Sequence, residues 1–343
     1  MKKSSIVLLL AFILFDISPS GAGEYGASFL QIGVGARALA MGGAAVAFSG
    51  DASAFYWNPA GLAGIAHPRI QLMYASQFGG FGNSLGEYQH AGMVVPIKGG
   101  ANVACNWLRF AVDDIPIYPE LEGRNIMQRL QNPAIRPDGT PQGFFQDNEN
   151  AYFFTFSRTA RFILDPGWLY LKIPLEIPFG LNFKVLQINL GKEHASGLGI
   201  DFGSMVRFSL NDLFTMRNLG QFSIAVFSQD ITNTTLIWST RHNDSIRRCW
   251  HWGIAYEQPL TRFQSHLLIG YSHTNYYSAS NHLGMEWEFR KIIALRAGVD
   301  ANHLATGIGL LLSFFHIDYA FESHELGFSH RISAELDFGA VKF

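Results

Sequence analysis

From residue 249 to the C-terminus the chain alternates between apolar and polar positions. In 249–258 one face reads Trp250, Trp252, Ile254 and Tyr256, and the other His251, Gly253, Ala255 and Glu257. In 282–290 Leu283, Met285, Trp287 and Phe289 oppose Gly284, Glu286, Glu288 and Arg290. In 292–300 Ile293, Leu295, Ala297 and Val299 oppose Ala294, Arg296, Gly298 and Asp300, and in 328–338 Ile332, Ala334, Leu336 and Phe338 oppose Arg331, Ser333, Glu335 and Asp337. A period of two is the period of a β-strand with two unlike faces.

Extended along the chain, this pattern predicts strands at 69–78, 87–97, 101–110, 150–160, 177–189, 196–208, 221–229, 249–258, 265–274, 281–290, 292–300, 304–313, 314–322 and 328–338. The count is fourteen, an even number, as in bacterial single-chain barrels. A soluble sandwich would alternate too, with its apolar face turned inward. The large aromatics of the apolar face suit the interfacial girdles of a membrane barrel instead, and glycine mixed with both signs of charge suits a narrow polar lumen. The fold class predicted is all-β: a transmembrane antiparallel β-barrel of about 14 strands.

Two stretches stand outside the alternation. Residues 111–149 hold Pro116, Pro119, Pro133, Pro137 and Pro141 and read as a long outer loop. Residues 23–66 are rich in Gly and Ala with no strand period, and such a segment before the first strand suits a hatch or plug folded into the lumen. Ahead of it, Lys2 and Lys3 precede an apolar run of ten from Ile6 to Phe15, and Ser20-Gly21-Ala22 offers small residues for cleavage. That is the layout of a secretory signal peptide, and the run is too short to span a bilayer as a helix. No Cys follows it, so a lipid anchor is not expected. The domain reading is 1–22 signal peptide, 23–66 hatch or plug, and 67–343 barrel with the outer loop at 111–149.

Composition agrees with export to a membrane. Apolar residues make up 48% of the 343 and charged residues 15%, with 29 Phe and a net charge of −2; mean hydropathy is +0.10. Without Lys2, Lys3 and Asp16, 23 basic and 26 acidic residues remain, a net charge of −3. Later in the chain no apolar run reaches 18 residues. No Lys/Arg block offers a nucleic-acid footprint. Cys105 and Cys249, 144 positions apart, form neither a zinc ribbon nor a disulfide scaffold.

Twelve histidines invite a metal or catalytic reading. No HExxH, GxSxG or close Cys/His cluster occurs, so no catalytic set, metal or cofactor is expected. His251, His266 and His316 are placed in the lumen beside Glu257 and Asp318. Glu286, Glu288, Arg296, Asp300, Asp318, Arg331 and Glu335 are read as mixed charges pairing across it.

The N-terminal segment carries the most specific motif. Residues 32–64 read IGVGARALAMGGAAVAFSGDASAFYWNPAGLAG. Asp51 is placed as the N-cap of a helix over Ala52–Trp57, which Asn58 ends before Pro59. There is no GxxxxGK[ST], so the glycines are not a phosphate loop. GVGARALAMGGA (33–44), DASAFYWNPAGLA (51–63) and VDDIPIY (112–118) resemble the PorV/PorQ family of outer-membrane proteins, itself similar to the FadL-type long-chain fatty-acid transporters. LRAGVD (295–300), IDYAFESHELGFSHRIS (317–333) and ELDF (335–338) extend the resemblance over nearly the whole chain, and Asn58, Pro59, Ala60, Gly61 and Leu62 are its most specific element.

The resemblance implies a fourteen-stranded outer-membrane barrel with a lumenal hatch that carries Asp51, Asn58, Pro59, Gly61 and Leu62. It implies the bilayer and the barrel-insertion machinery as partners. It further implies either passage of hydrophobic small molecules or, for PorV itself, service to type IX secretion with exported proteins as partners. The leading expectation is passive uptake, with Phe55, Tyr56, Trp57 and Leu62 on the hatch and Phe144 and Phe145 in the loop as ligand contacts. Docking of exported proteins comes second and a purely structural barrel third. Phe338 is expected as the last aromatic of the closing strand, with Phe343 beyond it.

Overall fold

Alternating side chains need a sheet with two different faces, and each strand obtains one by pairing with its chain neighbour. The computed structural model describes residues 26–48, 50–77, 84–118, 127–128, 139–165, 167, 172–214, 218–276, 279–324 and 327–340. Residues 1–22, read above as a signal peptide, and Phe343 lie outside the described residues. The strands are β1 Arg69–Gln77, β2 Gly86–Ile97, β3 Ala101–Ile117, β4 Gly143–Leu164, β5 Ile173–Leu190, β6 Glu193–Ser209, β7 Gln221–Gln229 and β8 Thr234–Trp238. They continue as β9 Asn243–Ile246, β10 Cys249–Leu260, β11 Ser265–Asn275, β12 Ala279–Phe289, β13 Ile293–Asp300, β14 His303–Leu312, β15 Phe315–His324 and β16 Gly327–Asp337.

Antiparallel ladders link β1 through β7 in order and then β10 through β16. β16 returns to β1, with Arg69 opposite Asp337 and Ser76 opposite His330, and closes a barrel of 14 strands. The fourteen strands of the ring are those the alternation predicts. The hairpin β8–β9 is additional: it continues β7 along β6, pairing Leu236 with Gly197, after a kink at Asp230–Asn233. Strands of five and four residues are too short to carry a visible period.

Two expectations are corrected here. The outer loop is shorter than 111–149, because β3 runs on to Ile117 and β4 begins at Gly143, and the two pair across a bulge between Val112 and Ile115. β2 pairs no further than Ala111, so β3 is an edge strand beyond it, where Pro116 and a bulge are tolerated. The closing strand stops at Asp337, and Phe338 starts a short 3-10 turn, although its N–H still bonds the Pro68 carbonyl at 3.0 Å.

The outward faces are apolar: Leu283 (53% exposed), Met285, Trp287, Ile293, Leu295, Ile308, Ile317 and Ile332 all point away from the lumen. Leaving such side chains in water forfeits roughly 1.5–3 kcal/mol each. This inside-out pattern is that of a barrel standing in lipid. Among the described residues no helix is long and apolar enough to cross a membrane.

Inward faces meet the N-terminal segment. It carries helices α1 (Ala36–Ala40) and α2 (Ala54–Trp57) and a 3-10 stretch at Pro59–Gly64. α1 lies against β13–β16, and the 3-10 stretch against β3–β6, so the segment bridges opposite walls from within. Close approach decides two seats. A Cβ on Gly284 or Gly298 would overlap the Met41 backbone, and one on Gly180 or Gly203 would overlap Asn58 and Pro59. At Gly180, Gly284 and Gly298 wall and segment touch backbone to backbone.

Candidate functional site

The barrel has a terminal end, where β1 starts and β16 stops, and a loop end, where β3 stops, β4 starts and the β8–β9 hairpin lies. The N-terminal segment sits between them and its two joints to the wall differ. On the β2–β5 side the joint is apolar. Phe55 is fully buried, its ring 5.4 Å from His90 and 5.1 Å from Phe153, with Leu62, Tyr88, Leu108 and Leu186 in the same cluster. Polar contacts there tie down backbone: Asn182 donates to the Phe55 carbonyl at 2.9 Å and Asn102 to that of Leu62 at 2.5 Å.

On the β12–β16 side the joint is ionic. Arg37 of α1 reaches Glu286 with Nε and Nη2, both at 2.7 Å, and stands 3.6 Å from Asp51. Glu286 also accepts from Arg296 Nε at 2.6 Å, and Arg296 Nη1 donates to Asp318 at 2.6 Å. Glu286 and Arg296 are almost wholly buried. Burial works against the charge on Arg37, but Glu286 and then Asp51 outweigh it and hold its pKa well above the ordinary value. Glu335 accepts the Ala52 N–H at 2.8 Å and Arg69 Nη1 at 3.1 Å, adding a second ionic tie.

A cavity lies on each side of the segment. The loop-end cavity, about 230 Å³, is bounded by Leu30, Ile32, Tyr56, Trp57, Phe227, His251, His282 and Asp300, among others. Trp57 donates its indole N–H to Val34 at 2.7 Å, and Tyr56 its hydroxyl to Leu30 at 2.5 Å. Burial pushes the Tyr56 phenol far above its usual pKa, so it stays neutral. The terminal-end chamber, about 580 Å³, is rich in charge, with Arg37, Asp51, Arg69, Glu257, His266, Glu288, Arg296 and Glu335 among its walls beside Leu268, Leu311 and Leu312.

The residues singled out in the sequence are thus spread over several places. Tyr56 and Trp57 come together at the loop-end cavity with His251 and Asp300. Phe55 does not line it, because its ring is spent on the apolar joint. Phe144 and Phe145 line a separate recess with Asp114, Ile117 and Lys192. Glu257 and Glu288 border the terminal-end chamber, where His266 stands 4.0 Å from Glu257, and His316 lies 3.9 Å from Glu335. His251 sits at the opposite end, stacked on Phe227 with 5.1 Å between centroids. Arg331 is bonded to Glu322 inside the wall.

Asn58 joins the two helical pieces: its Nδ2 donates to Val46 at 2.9 Å and its Oδ1 accepts from Ala60 at 3.0 Å. Pro59 and Gly61 are buried beside it. Asp51 is not the cap that the sequence predicts. α2 begins only at Ala54 after Ser53, and the Asp51 carboxylate accepts the Ser53 N–H at 2.8 Å while facing Arg37.

Three groups escape a sequence reading. Arg37 lies within the quoted motif, and a lone cation in an apolar stretch has to find a carboxylate when buried. His282 is 3.0 Å from Asp300. Lys184 is fully buried between Asp201 (2.9 Å) and Asp230 (2.8 Å) beneath the β7–β8 kink. Its partners come from β6 and a turn, which no spacing links. Among the described residues no cluster of three or more His, Cys, Asp or Glu could hold a metal ion.

No model of a known protein family matches the sequence, and no curated protein matches it. Solved structures of similar outline exist. The chain is 13% identical to the toluene transporter TbuX of Ralstonia pickettii, with a TM-score of 0.46, covering 89% of this chain and 97% of that one. For the toluene transporter TodX of P. putida the values are 9%, 0.48, 89% and 99%. For a Pseudomonas aeruginosa FadL homologue they are 10%, 0.40, 86% and 96%. At these scores the likeness is one of general outline and bears on no cargo.

Proposed function

We propose that this protein is an outer-membrane barrel, loop end outward, that passes small hydrophobic molecules by passive transport. The observation that carries the reading is the loop-end cavity set directly on the segment that fills the lumen, with a second chamber below. A molecule entering from the loop end gains apolar burial against Tyr56, Trp57 and Phe227, at roughly 25 cal/mol per Å². Every neighbouring pair in the ring is laddered, so passage requires the segment to shift. The ionic joint on the β12–β16 side is the part that opens, while the apolar joint around Phe55 holds.

Docking of exported proteins is the second reading, favoured by one feature: β3–β6 and the β8–β9 hairpin project at the loop end, and Phe144 stands 60% exposed there. Two measurements separate the readings. Outer-membrane fractionation with a heat-modifiable gel shift tests the barrel, and a soluble periplasmic protein would overturn both. Proteoliposomes loaded by exposure to toluene then test transport. Uptake above protein-free vesicles supports it, whereas a tight barrel that co-purifies with a stoichiometric protein partner supports docking.

A further inference from the structure

The loop-end cavity has one charged wall. Asp300, at the end of β13, borders it with its side chain 36% exposed, and His282 Nδ1 lies 3.0 Å from its carboxylate. The same nitrogen lies 3.0 Å from the Gly42 carbonyl. Two acceptors facing one ring nitrogen place a proton on it, so the imidazole donates and the carboxylate keeps its charge. The neighbouring acid, Glu322, is already matched by Arg331. Asp300 is the one carboxylate among the residues that border this cavity.

The rest of the lining is uncharged and mixed, with aromatic and aliphatic side chains beside Gln31, Gln229, Thr274 and Ser280. Trp57 and Tyr56 have committed their polar ends to the Val34 and Leu30 carbonyls, so they offer the cavity ring carbon. His251 is stacked on Phe227 with 27° between planes, and its Nδ1 lies 3.1 Å from the Thr274 hydroxyl. The volume, about 230 Å³, also sets a limit. A dry cavity of about 150 Å³ holds benzene. One ring with a short substituent fits here, and an extended acyl chain does not.

Resting on the uptake reading, we infer that this cavity selects single-ring molecules bearing a cationic or hydrogen-bond-donating substituent and rejects carboxylates of the same size. The ring lies among Trp57, Tyr56 and Phe227, and the substituent meets Asp300. The ligand class is that of arylalkylamines and, more weakly, aryl alcohols. A fatty acid or an aromatic acid would bring its carboxylate against another.

The test uses the full chain in detergent and four probes of one size: benzylamine, benzyl alcohol, toluene and benzoate. Binding is read by tryptophan fluorescence at mildly alkaline pH, where benzylamine is still charged and benzoate ionised. Benzylamine should bind at least about tenfold tighter than benzoate. Asp300→Asn, which keeps the shape and an acceptor for His282, should abolish that ratio and leave benzyl alcohol within about twofold. Equal binding of amine and acid, a ratio unchanged in D300N, or no binding of any probe would overturn the inference. Flux of the same probes into proteoliposomes separates the two claims. Charge-selective binding without flux removes the uptake reading and keeps the site, whereas flux without charge preference does the reverse.

Discussion

The two halves of the lumen hold one segment by opposite means. Between β2 and β5 the wall presents Tyr88, Leu108, Phe153 and Leu186 to Phe55 and Leu62, all fully or almost fully buried. Between β12 and β16 it presents Glu286, Arg296, Asp318 and Glu335 to Arg37 and to the Ala52 N–H. An apolar joint is non-directional, so it tolerates sliding and rotation that keep its surfaces in contact. A buried ionic joint depends on geometry, and its members are stranded once separated. On the uptake reading proposed above, one side therefore behaves as a hinge and the other as a latch. A segment with two apolar joints would have no preferred edge to open, and one with two ionic joints would have nothing to hold it while open.

Two substitutions of similar cost should break this contrast. Arg296→Ala leaves Asp318 and part of Glu286 buried without a cation, a loss of about 3–5 kcal/mol. Phe55→Ala opens a cavity in the apolar joint and costs about 3–5 kcal/mol too. Both should lower the denaturant midpoint of the folded, heat-modifiable form. They part company in planar bilayers: R296A should raise the open current through its loosened latch, whereas F55A should give an unstable barrel whose closed state still seals. Equal leak in the two variants would remove the distinction between hinge and latch.

A smaller effect sharpens it. Arg37→Gln keeps one hydrogen bond to Glu286 and leaves that acid paired with Arg296, so the wall stays satisfied and only the tie to the segment weakens. A hydrogen bond between charged groups is worth about 1.5–3 kcal/mol. On a two-state closure, that raises the open population roughly ten- to hundredfold. Single-channel recording should show more frequent openings at unchanged conductance, with the unfolding midpoint little moved. A latch that ignores Arg37 would show neither.

This contrast was half legible in the sequence. Alternation at 282–290, 292–300 and 328–338 puts Glu286, Arg296 and Glu335 inward, because a strand has only two faces. The position of Phe55 among aromatics suggests a ligand contact, and nothing local says that the ring faces His90 and Phe153 on β2 and β4. Which inward charges meet is set by stagger between strands and by a segment some 250 positions away from Glu286. Asp51 shows the same limit: its spacing from Trp57 fits a cap, but Arg37 and Ser53 claim its carboxylate. The Lys184–Asp201–Asp230 group is the furthest from any pattern, since its third member is delivered by a kink with left-handed residues at Asp230 and Asn233.

The smallest expected effect isolates burial as the reason the latch is strong. Arg161 and Glu176 form an ion pair at 3.0 Å, with the arginine side chain 77% exposed and the glutamate 37%. Its N···O separation is close to the 2.7 Å of Arg37 and Glu286, so contact alone would make the two pairs comparable. Water and salt screen the exposed pair, and both long side chains lose rotamer freedom on meeting. Arg161→Ala should therefore change the unfolding free energy by no more than about 0.5 kcal/mol and leave the open current as it was. The same substitution measured in high salt should converge on the parent protein, while the stability lost in R296A should persist, because added ions do not reach Glu286 and Asp318. A salt-sensitive loss in R296A would mean that the β12–β16 joint is wetter than its burial implies, and the latch would then be no stronger than a surface pair.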